Sequence, residues 1–379
     1  MTATEVPPPL AQPPARTGVR ARRDAGVRMA SLALVWAALL WLTLLWEREG
    51  GLQDLGGWSS ALLSTGRLTG LVASALLLVQ VLMMARIPVL EQAWGQDRLA
   101  RLHRLVGFTS FNLMLAHIGL ITWGYAGGRL LATPGTIWRL TLDYPGMLLG
   151  VAGSLCLLLV VVTSVRAARR RLRYESWHLL HLYVYLGAGL ALPHQLWTGQ
   201  EFLGSAASTI FWWGLWVSAV GSVLVWRVAL PLWRSWRHAL RVIEVVEEDD
   251  DVLSVRIAGR GLKRLKVEAG QFLLWRFPGR PGWTRAHPYS LSAAPDGRSL
   301  RITVKEVGDG SGSLRGLTPG SRVVVEGPFG RLTERTRTQR KVLLVGAGVG
   351  ITPLRALAEG LDYAPGEATL IHRYTGQAL

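Results

Sequence analysis

Six stretches of this 379-residue chain contain no Asp, Glu, Lys or Arg: Met29–Trp46, Leu68–Ala85, Leu105–Gly128, Tyr144–Val165, Ser176–Gln200 and Phe202–Trp226. An α-helix rises 1.5 Å per residue, so about 20 apolar residues cross the roughly 30 Å of bilayer hydrocarbon. Each run reaches or approaches that length. Any one of them could be a buried core helix of a soluble protein, but six in the first 230 residues read as membrane spans. The first is not a signal peptide, because it follows a Pro- and Arg-rich tail and exceeds the usual apolar core of such a leader. Only 18% of the residues are charged, against ~25% in soluble domains. Cys156 is the single cysteine, which excludes a disulfide framework. The net charge is +17, but the arginines fall in blocks between the apolar runs, a pattern of membrane topology and not of nucleic-acid binding.

With the N-terminus inside, 17 arginines lie in or beside the inner loops and four (Arg48, Arg67, Arg129, Arg139) lie outside. This bias places both termini, and everything after about residue 230, in the cytoplasm of a multi-pass cell-membrane protein. Residues 1–28 read as a disordered tail and 29–230 as the membrane domain.

Five of the eight histidines lie in or at the ends of two spans: His103 and His117 on the third, and His178, His181 and His194 on the fifth. Ionisable residues at membrane depth are costly and usually functional. His103 and His117 are separated by ~21 Å along a helix axis, and His181 and His194 by ~19.5 Å. The third and fifth spans run in the same direction, so matched depths set His103 opposite His181 and His117 opposite His194. Two stacked bis-imidazole sites result, a ligation suited to low-spin, electron-passing haem. The fit has one difficulty. Fourteen residues return a helix to within ~40° of its starting face, whereas thirteen leave an offset of ~140°. A kink at Pro193 is expected to correct part of this. His178, one turn from His181, is the rival inner ligand.

Six spans with these two histidine pairs resemble the ferric reductase and NADPH oxidase transmembrane family. The resemblance implies two b-type haems held by His103, His117, His181 and His194. It also offers Arg101, Arg104 and the Arg169–Arg173 block as contacts for the inner haem's propionates, beside their roles in topology and lipid contact.

After Trp236 the texture changes. Arg241–Ile257, Gln271–Phe277, Ser299–Val307 and Ser321–Glu326 are short β-type runs punctuated by Gly and Pro, which suggests a small antiparallel barrel over 238–336. At its centre, His287-Pro288-Tyr289-Ser290-Leu291-Ser292 resembles the flavin motif of the ferredoxin-NADP reductase superfamily. The resemblance implies FAD, with Tyr289 packed on the flavin and Ser290 near its N5, where hydride arrives. His287 stands where the motif usually has an arginine, and Arg285 could supply that charge. Lys305 and the following loop, with Gly310, Ser311, Gly312 and Ser313, precede a short helix whose free N–H groups could hold a diphosphate. Gly327 and Pro328 lie in the segment that closes the barrel in that superfamily.

Val342–Val345 reads as a buried strand leading into Gly346-Ala347-Gly348-Val349-Gly350-Ile351-Thr352-Pro353 and a helix to about Leu361. Glycines at this place let a backbone approach a pyrophosphate at a helix start. Gly346, Gly348, Gly350, Thr352 and Pro353 resemble the NAD(P) site of the same superfamily. Ala368–His372 is a second strand. Residues 340–379 are too few for a doubly wound sheet, so this α/β nucleotide-binding domain reads as incomplete and the chain as truncated or a fragment.

The fold expected is therefore a six-helix transmembrane bundle, an antiparallel β-barrel FAD domain and the start of an α/β nucleotide-binding domain. The function expected is electron transfer from cytoplasmic NAD(P)H through FAD and two haems to an external acceptor, a ferric chelate or dioxygen. The competing readings are a haem-free transporter or channel with a nucleotide-binding tail, and a haem-binding subunit without hydride chemistry.

Overall fold

The protein is described by a computed structural model covering residues 16–280, 282–306 and 312–373. It divides into a helical unit, Arg28–Ile87 with Asp97–Val223, and a second unit built on Leu224–Leu379 with Pro88–Gln96 and the residues up to Val27.

The helices are α1 (Arg16–Arg48), α2 (Trp58–Met84), α3 (Pro88–Trp94), α4 (Gln96–Tyr125), α5 (Thr133–Asp143), α6 (Met147–Ser164), α7 (Arg166–Arg171), α8 (Tyr174–His181), α9 (Tyr183–Thr198), α10 (Gln200–Leu203), α11 (Ala206–Ser222) and, after a π-helical stretch Val223–Ala229, α12 (Leu230–His238). Among the described residues five helices are long and apolar enough to cross a membrane: Ala21–Arg48, Trp58–Met84, Gln96–Tyr125, Met147–Ser164 and Ala206–His238. The apolar window of α2 is 50% buried, whereas in the other four it is 17% or less. Thus α2 is the central helix, and the others expose apolar side chains such as Leu34, Phe108 and Val217.

Two expectations change here. Helix α1 begins at Arg16, so residues 16–28, expected to be disordered, are helical; residues 1–15 lie outside the described residues. The run Ser176–Gln200 is not one helix but α8 and α9, which meet at Leu182. There the Leu182 N–H reaches the carbonyls of both His178 and Leu179, and the Tyr185 N–H bonds to Leu182 three residues back. A tighter turn advances the helical phase faster than 100° per residue, so the rotation between His181 and His194 is adjusted at Leu182. Helix α9 continues through Pro193.

Small residues set the helix crossings. A Cβ on Gly153 of α6 would lie 2.7 Å from the Gly187 carbonyl of α9, and one on Gly187 would lie 2.9 Å from the Gly153 carbonyl. Only glycine lets these backbones approach so closely. Helix α4 is registered on α2 by Ser110 Oγ, which donates to the Ala73 carbonyl at 2.8 Å, and by Ser59 Oγ, which donates to Gly124 at 2.6 Å.

The second unit carries strands β1 (Arg241–Asp249), β2 (Val252–Ala258), β3 (Phe272–Arg276), β4 (His287–Ser290), β5 (Ser299–Lys305) and β6 (Val324–Phe329). They do not close into the expected barrel. They form two antiparallel three-stranded sheets, β1-β2-β5 and β4-β3-β6, with the isolated bridge Leu291–Ile302 between the end of β4 and β5. The run Arg241–Ile257 is a hairpin with an acidic turn, not one strand. Val255, Ile257, Leu273, Trp275, Leu291, Ile302 and Val325 fill the shared core and are essentially inaccessible to solvent. Truncating Ile302 to alanine should cost ~2–5 kcal/mol through lost transfer energy and an unfilled cavity. Hydrogen exchange of the β2 and β5 amides measures it, with protection falling accordingly.

Strand β7 (Val342–Ala347), helix α13 (Ile351–Gly360) and strand β8 (Ala368–Arg373) follow, the two strands pairing in parallel. Leu344, Leu354 and Leu357 bury the contact between β7 and α13, while Leu343 and Val345 on the other face are exposed.

Candidate functional site

Helices α4, α8 and α9 bring four of the five span histidines into two pairs. The rings of His103 and His181 lie with centroids 6.0 Å apart, and those of His117 and His194 at 6.4 Å. Of the two candidates on α8, His181 is the one opposite His103. Two metal–nitrogen bonds of about 2 Å each, together with the ring radii, account for separations of this size.

Each ring is held through Nδ1. His117 Nδ1 meets the Gly66 carbonyl at 2.8 Å and His103 Nδ1 the Gln80 carbonyl at 3.3 Å. A carbonyl only accepts, so these nitrogens carry the proton. His194 Nδ1 lies 2.8 Å from Thr198 Oγ1, whose own hydrogen goes to the His194 carbonyl at 2.6 Å. The hydroxyl therefore accepts from the ring. His181 Nδ1 meets Ser164 Oγ at 3.3 Å, and Trp177 Nε1 donates to that same oxygen at 3.2 Å. With Nδ1 engaged, Nε2 is the nitrogen available to a metal, the arrangement that usually orients a ligating imidazole.

The donor set fits a metal that brings its own equatorial ligands. Among the described residues no third His, Cys, Asp or Glu joins either pair into a metal-holding cluster. Each pair would hold such a metal through two imidazoles, and a porphyrin would supply its remaining ligands. Room is kept by glycine: a Cβ on Gly70 would sit 2.5 Å from His117 Nδ1, and one on Gly150 would sit 3.2 Å from His194 Cβ. Gly70→Ala should therefore displace the His117 ring and shift or abolish the spectrum of one haem while leaving the other unchanged. Low-temperature difference spectra of the α-band check this.

Arg169, in the block offered for propionates, stacks its guanidinium 4.5 Å above Trp177. The Trp177 ring lies 5.1 Å from His181. Thr198, Ser164, Gly70 and Gly150 were not among the residues expected from sequence. Thr198 could have been found, since it stands one helical turn after His194; Ser164 comes from another helix and carries no such signal.

In the second unit, β4 places the flavin-type motif at a sheet edge beside β3. Ser290 lies opposite Phe272, which lies opposite Phe329 on β6. Tyr289 is half-buried, its ring parallel to that of His287 at 5.8 Å, and its carbonyl accepts from Trp275 Nε1 at 3.0 Å. Burial pushes its hydroxyl up to about 12, so the phenol stays protonated at neutral pH. Pro288 is exposed. Ser292, fully buried, accepts from Arg301 Nε at 3.1 Å and Thr303 Oγ1 at 2.8 Å, which ties the motif to β5.

The remaining expected residues are spread. The Lys305 ammonium sits 2.8 Å from the Asp251 carboxylate, which raises its pKa. Gly310 and Ser311 lie outside the described residues, and Gly312 leads into the 3-10 turn Ser313–Gly316. Gly327 adopts φ +121°, and its carbonyl accepts from Arg234, so this glycine and Pro328 end β6 against α12. At the glycine turn, a Cβ on Gly346 would press on Leu354 at 2.9 Å, whereas one on Gly348 or Gly350 would meet nothing. The turn is packed below and open above. Thr352 Oγ1 caps it by donating to Val349 at 3.0 Å, and Pro353 follows in the first turn of α13. His372 stands opposite Gly346 in the parallel register, with Nε2 3.1 Å from the Gly348 carbonyl.

Residues 69–192 match the model of the ferric reductase like transmembrane component. The match contains His103, His117 and His181 and stops just before His194. The chain is 26% identical over 256 residues to the superoxide-generating NADPH oxidase heavy chain of Dictyostelium discoideum, covering 59% of this chain and 46% of that one. It is 24% identical over 253 residues to NADPH oxidase 1 of Mus musculus, covering 57% and 41%. Over 98 residues it is 37% identical to ferredoxin–NADP reductase B of Sorangium cellulosum, covering 25% and 40%. The chain spans less than half the length of each of these relatives. Its apolar helices and matched component make it a multi-pass membrane protein, similar in part of its length to the ferric reductase like transmembrane component and to NADPH oxidases, and in its later part to a ferredoxin–NADP reductase.

Proposed function

We propose that the chain is an NAD(P)H-dependent membrane oxidoreductase. Electrons pass from cytoplasmic NAD(P)H through FAD and two b-type haems to an external acceptor, a ferric chelate or dioxygen. The observation that carries this reading is the double pairing of His103 with His181 and of His117 with His194 at nearly equal ring separations. When bound, the flavin takes a two-electron hydride and releases single electrons, which low-spin haem iron relays.

The residues of the chain position these groups. Nδ1 contacts fix the imidazoles, so that each pair would hold a haem iron through two Nε2 atoms. Tyr289 supplies a half-buried aromatic face for a flavin, and Ser290 a hydroxyl in line with Phe272. The open side of Gly348 and Gly350 lets a phosphate approach the backbone at the start of α13. The broken α8–α9 pair is the fifth of six spans, and the arginine bias sets the N-terminus, the flavin module and the His103–His181 pair on the cytoplasmic side.

The test is nucleotide-driven haem reduction in sealed vesicles of known sidedness. NADH or NADPH added to the cytoplasmic face should bleach oxidised haem and reduce a membrane-impermeant ferric chelate on the opposite face. Haem reducible by dithionite but by neither nucleotide would contradict it.

A further inference from the structure

A cavity of about 370 Å³ lies where the last apolar helix ends and the chain turns back after β2, lined by Trp236, Arg237, His238, Arg260, Gly261 and Arg264. Three guanidiniums and no carboxylate line it. Among the described residues none of the three enters an ion pair. Elsewhere in the unit, Arg276, Arg315, Arg335 and Arg340 are each held by a glutamate. Three adjacent like charges without a counter-charge repel one another, and an anion in the cavity removes that cost.

The frame around the charges is rigid. His238 is buried, its carbonyl accepts from the Arg260 N–H at 2.7 Å, and its Nδ1–H donates to the Arg260 carbonyl at 2.8 Å. This reciprocal pair joins the end of α12 to the turn after β2. Gly259 permits the approach, because a Cβ there would lie 2.5 Å from the His238 carbonyl. Gly261, at φ +58°, then turns the chain to present Arg264 beside Arg260. Arg237 rests on the Trp233 ring at 5.6 Å.

The setting selects the kind of anion. Helix α12 continues the apolar helix Ala206–His238, and Trp233 and Trp236 are 51% and 78% exposed. Exposed indoles at the end of a span sit at headgroup depth. Basic pockets beside spans on the cytoplasmic side suit acidic lipid headgroups. We infer that this cavity binds the phosphate headgroup of an anionic phospholipid of the cytoplasmic leaflet, through Arg237, Arg260 and Arg264 with Trp236 at the rim. The inference rests on the membrane reading above and adds to it a lipid site at the junction that leads into the flavin module. The recognised chemistry is a phosphate oxyanion, which inorganic phosphate also offers.

The test uses the full chain in a neutral detergent. Short-chain phosphatidylglycerol, short-chain phosphatidylcholine and inorganic phosphate are titrated separately, and bound copies are counted by native mass spectrometry. Phosphatidylglycerol should give one saturable adduct, weakened at least about tenfold in R260E/R264E and retained in R260K/R264K. Both positions are exposed and outside the core, and an unchanged sedimentation profile establishes that each variant is folded. Equal binding in R260E/R264E, or equal binding of phosphatidylcholine, overturns the site. Inorganic phosphate bound as tightly as phosphatidylglycerol overturns the lipid assignment. The count concerns the cavity alone; the membrane reading fails separately, if the chain is recovered without detergent in the soluble fraction.

Discussion

Changing His117 or His194 to leucine should halve the haem content and leave the flavin in place. Leucine has no nitrogen to offer, so the partner imidazole keeps one bond where low-spin ligation needs two. The lesion is local. His117 is held by the Gly66 carbonyl on α2 and His194 by Thr198 on α9, and neither anchor contributes to the His103–His181 pair. The surviving haem should remain reducible by nicotinamide nucleotide, while reduction of an external chelate stops because the outer relay is missing. Haem content by pyridine haemochrome and flavin content by fluorescence check both halves. Two haems retained in either variant would move the ligands to other residues.

The second large effect concerns the flavin motif. Tyr289→Ala with Ser290→Ala should lower nucleotide-driven haem reduction by about a hundredfold, the scale on which a misplaced reactive group costs rate. Dithionite-reducible haem should remain. The change removes an aromatic face and a hydroxyl but spares the backbone ladder of β4 with β3 and the bond from Trp275 to the Tyr289 carbonyl, so the domain keeps its fold. Stopped-flow reduction by NADPH followed in the Soret band gives the rate, and a wild-type rate in the double variant would remove this flavin site.

Much of the membrane half was legible because hydrocarbon imposes simple rules. Uncharged runs of the right length are helices, and two histidines at like depth on co-directional helices must face each other or be wasted. Spacing favoured His181 over His178 as the partner of His103, and the ring contact in the structure is with His181. How thirteen residues reach the required rotation was not legible in the spacing. Proline is the usual kink signal, but the backbone bonding also changes at Leu182, which no residue type in the sequence marks. The tail misled for a related reason. Its Pro-rich start suggests disorder, yet from Arg16 onward the helix of the first span extends backward.

In the second unit the strands and glycine turn were visible as β-branched runs and Gly spacing, whereas their assembly was not. Closure into a barrel depends on long-range pairing, and here β4 is only four residues long, with a single bridge across to β5. Lys305 shows the same limit. It follows a strand at a plausible distance from a phosphate loop, but the acidic hairpin turn, some fifty positions earlier in sequence, folds back to hold it through Asp251. The orienting hydroxyl of Ser164 is equally hidden, because it reaches His181 from a neighbouring helix.

The central claim is that four imidazoles clamp two haems between α4 and the α8–α9 pair. Its most direct test is the haem-to-polypeptide ratio of the purified full chain from haem-replete cells, read with the dithionite-reduced spectrum. The account predicts two low-spin b-type haems per chain. A folded preparation without a reducible Soret band would contradict it.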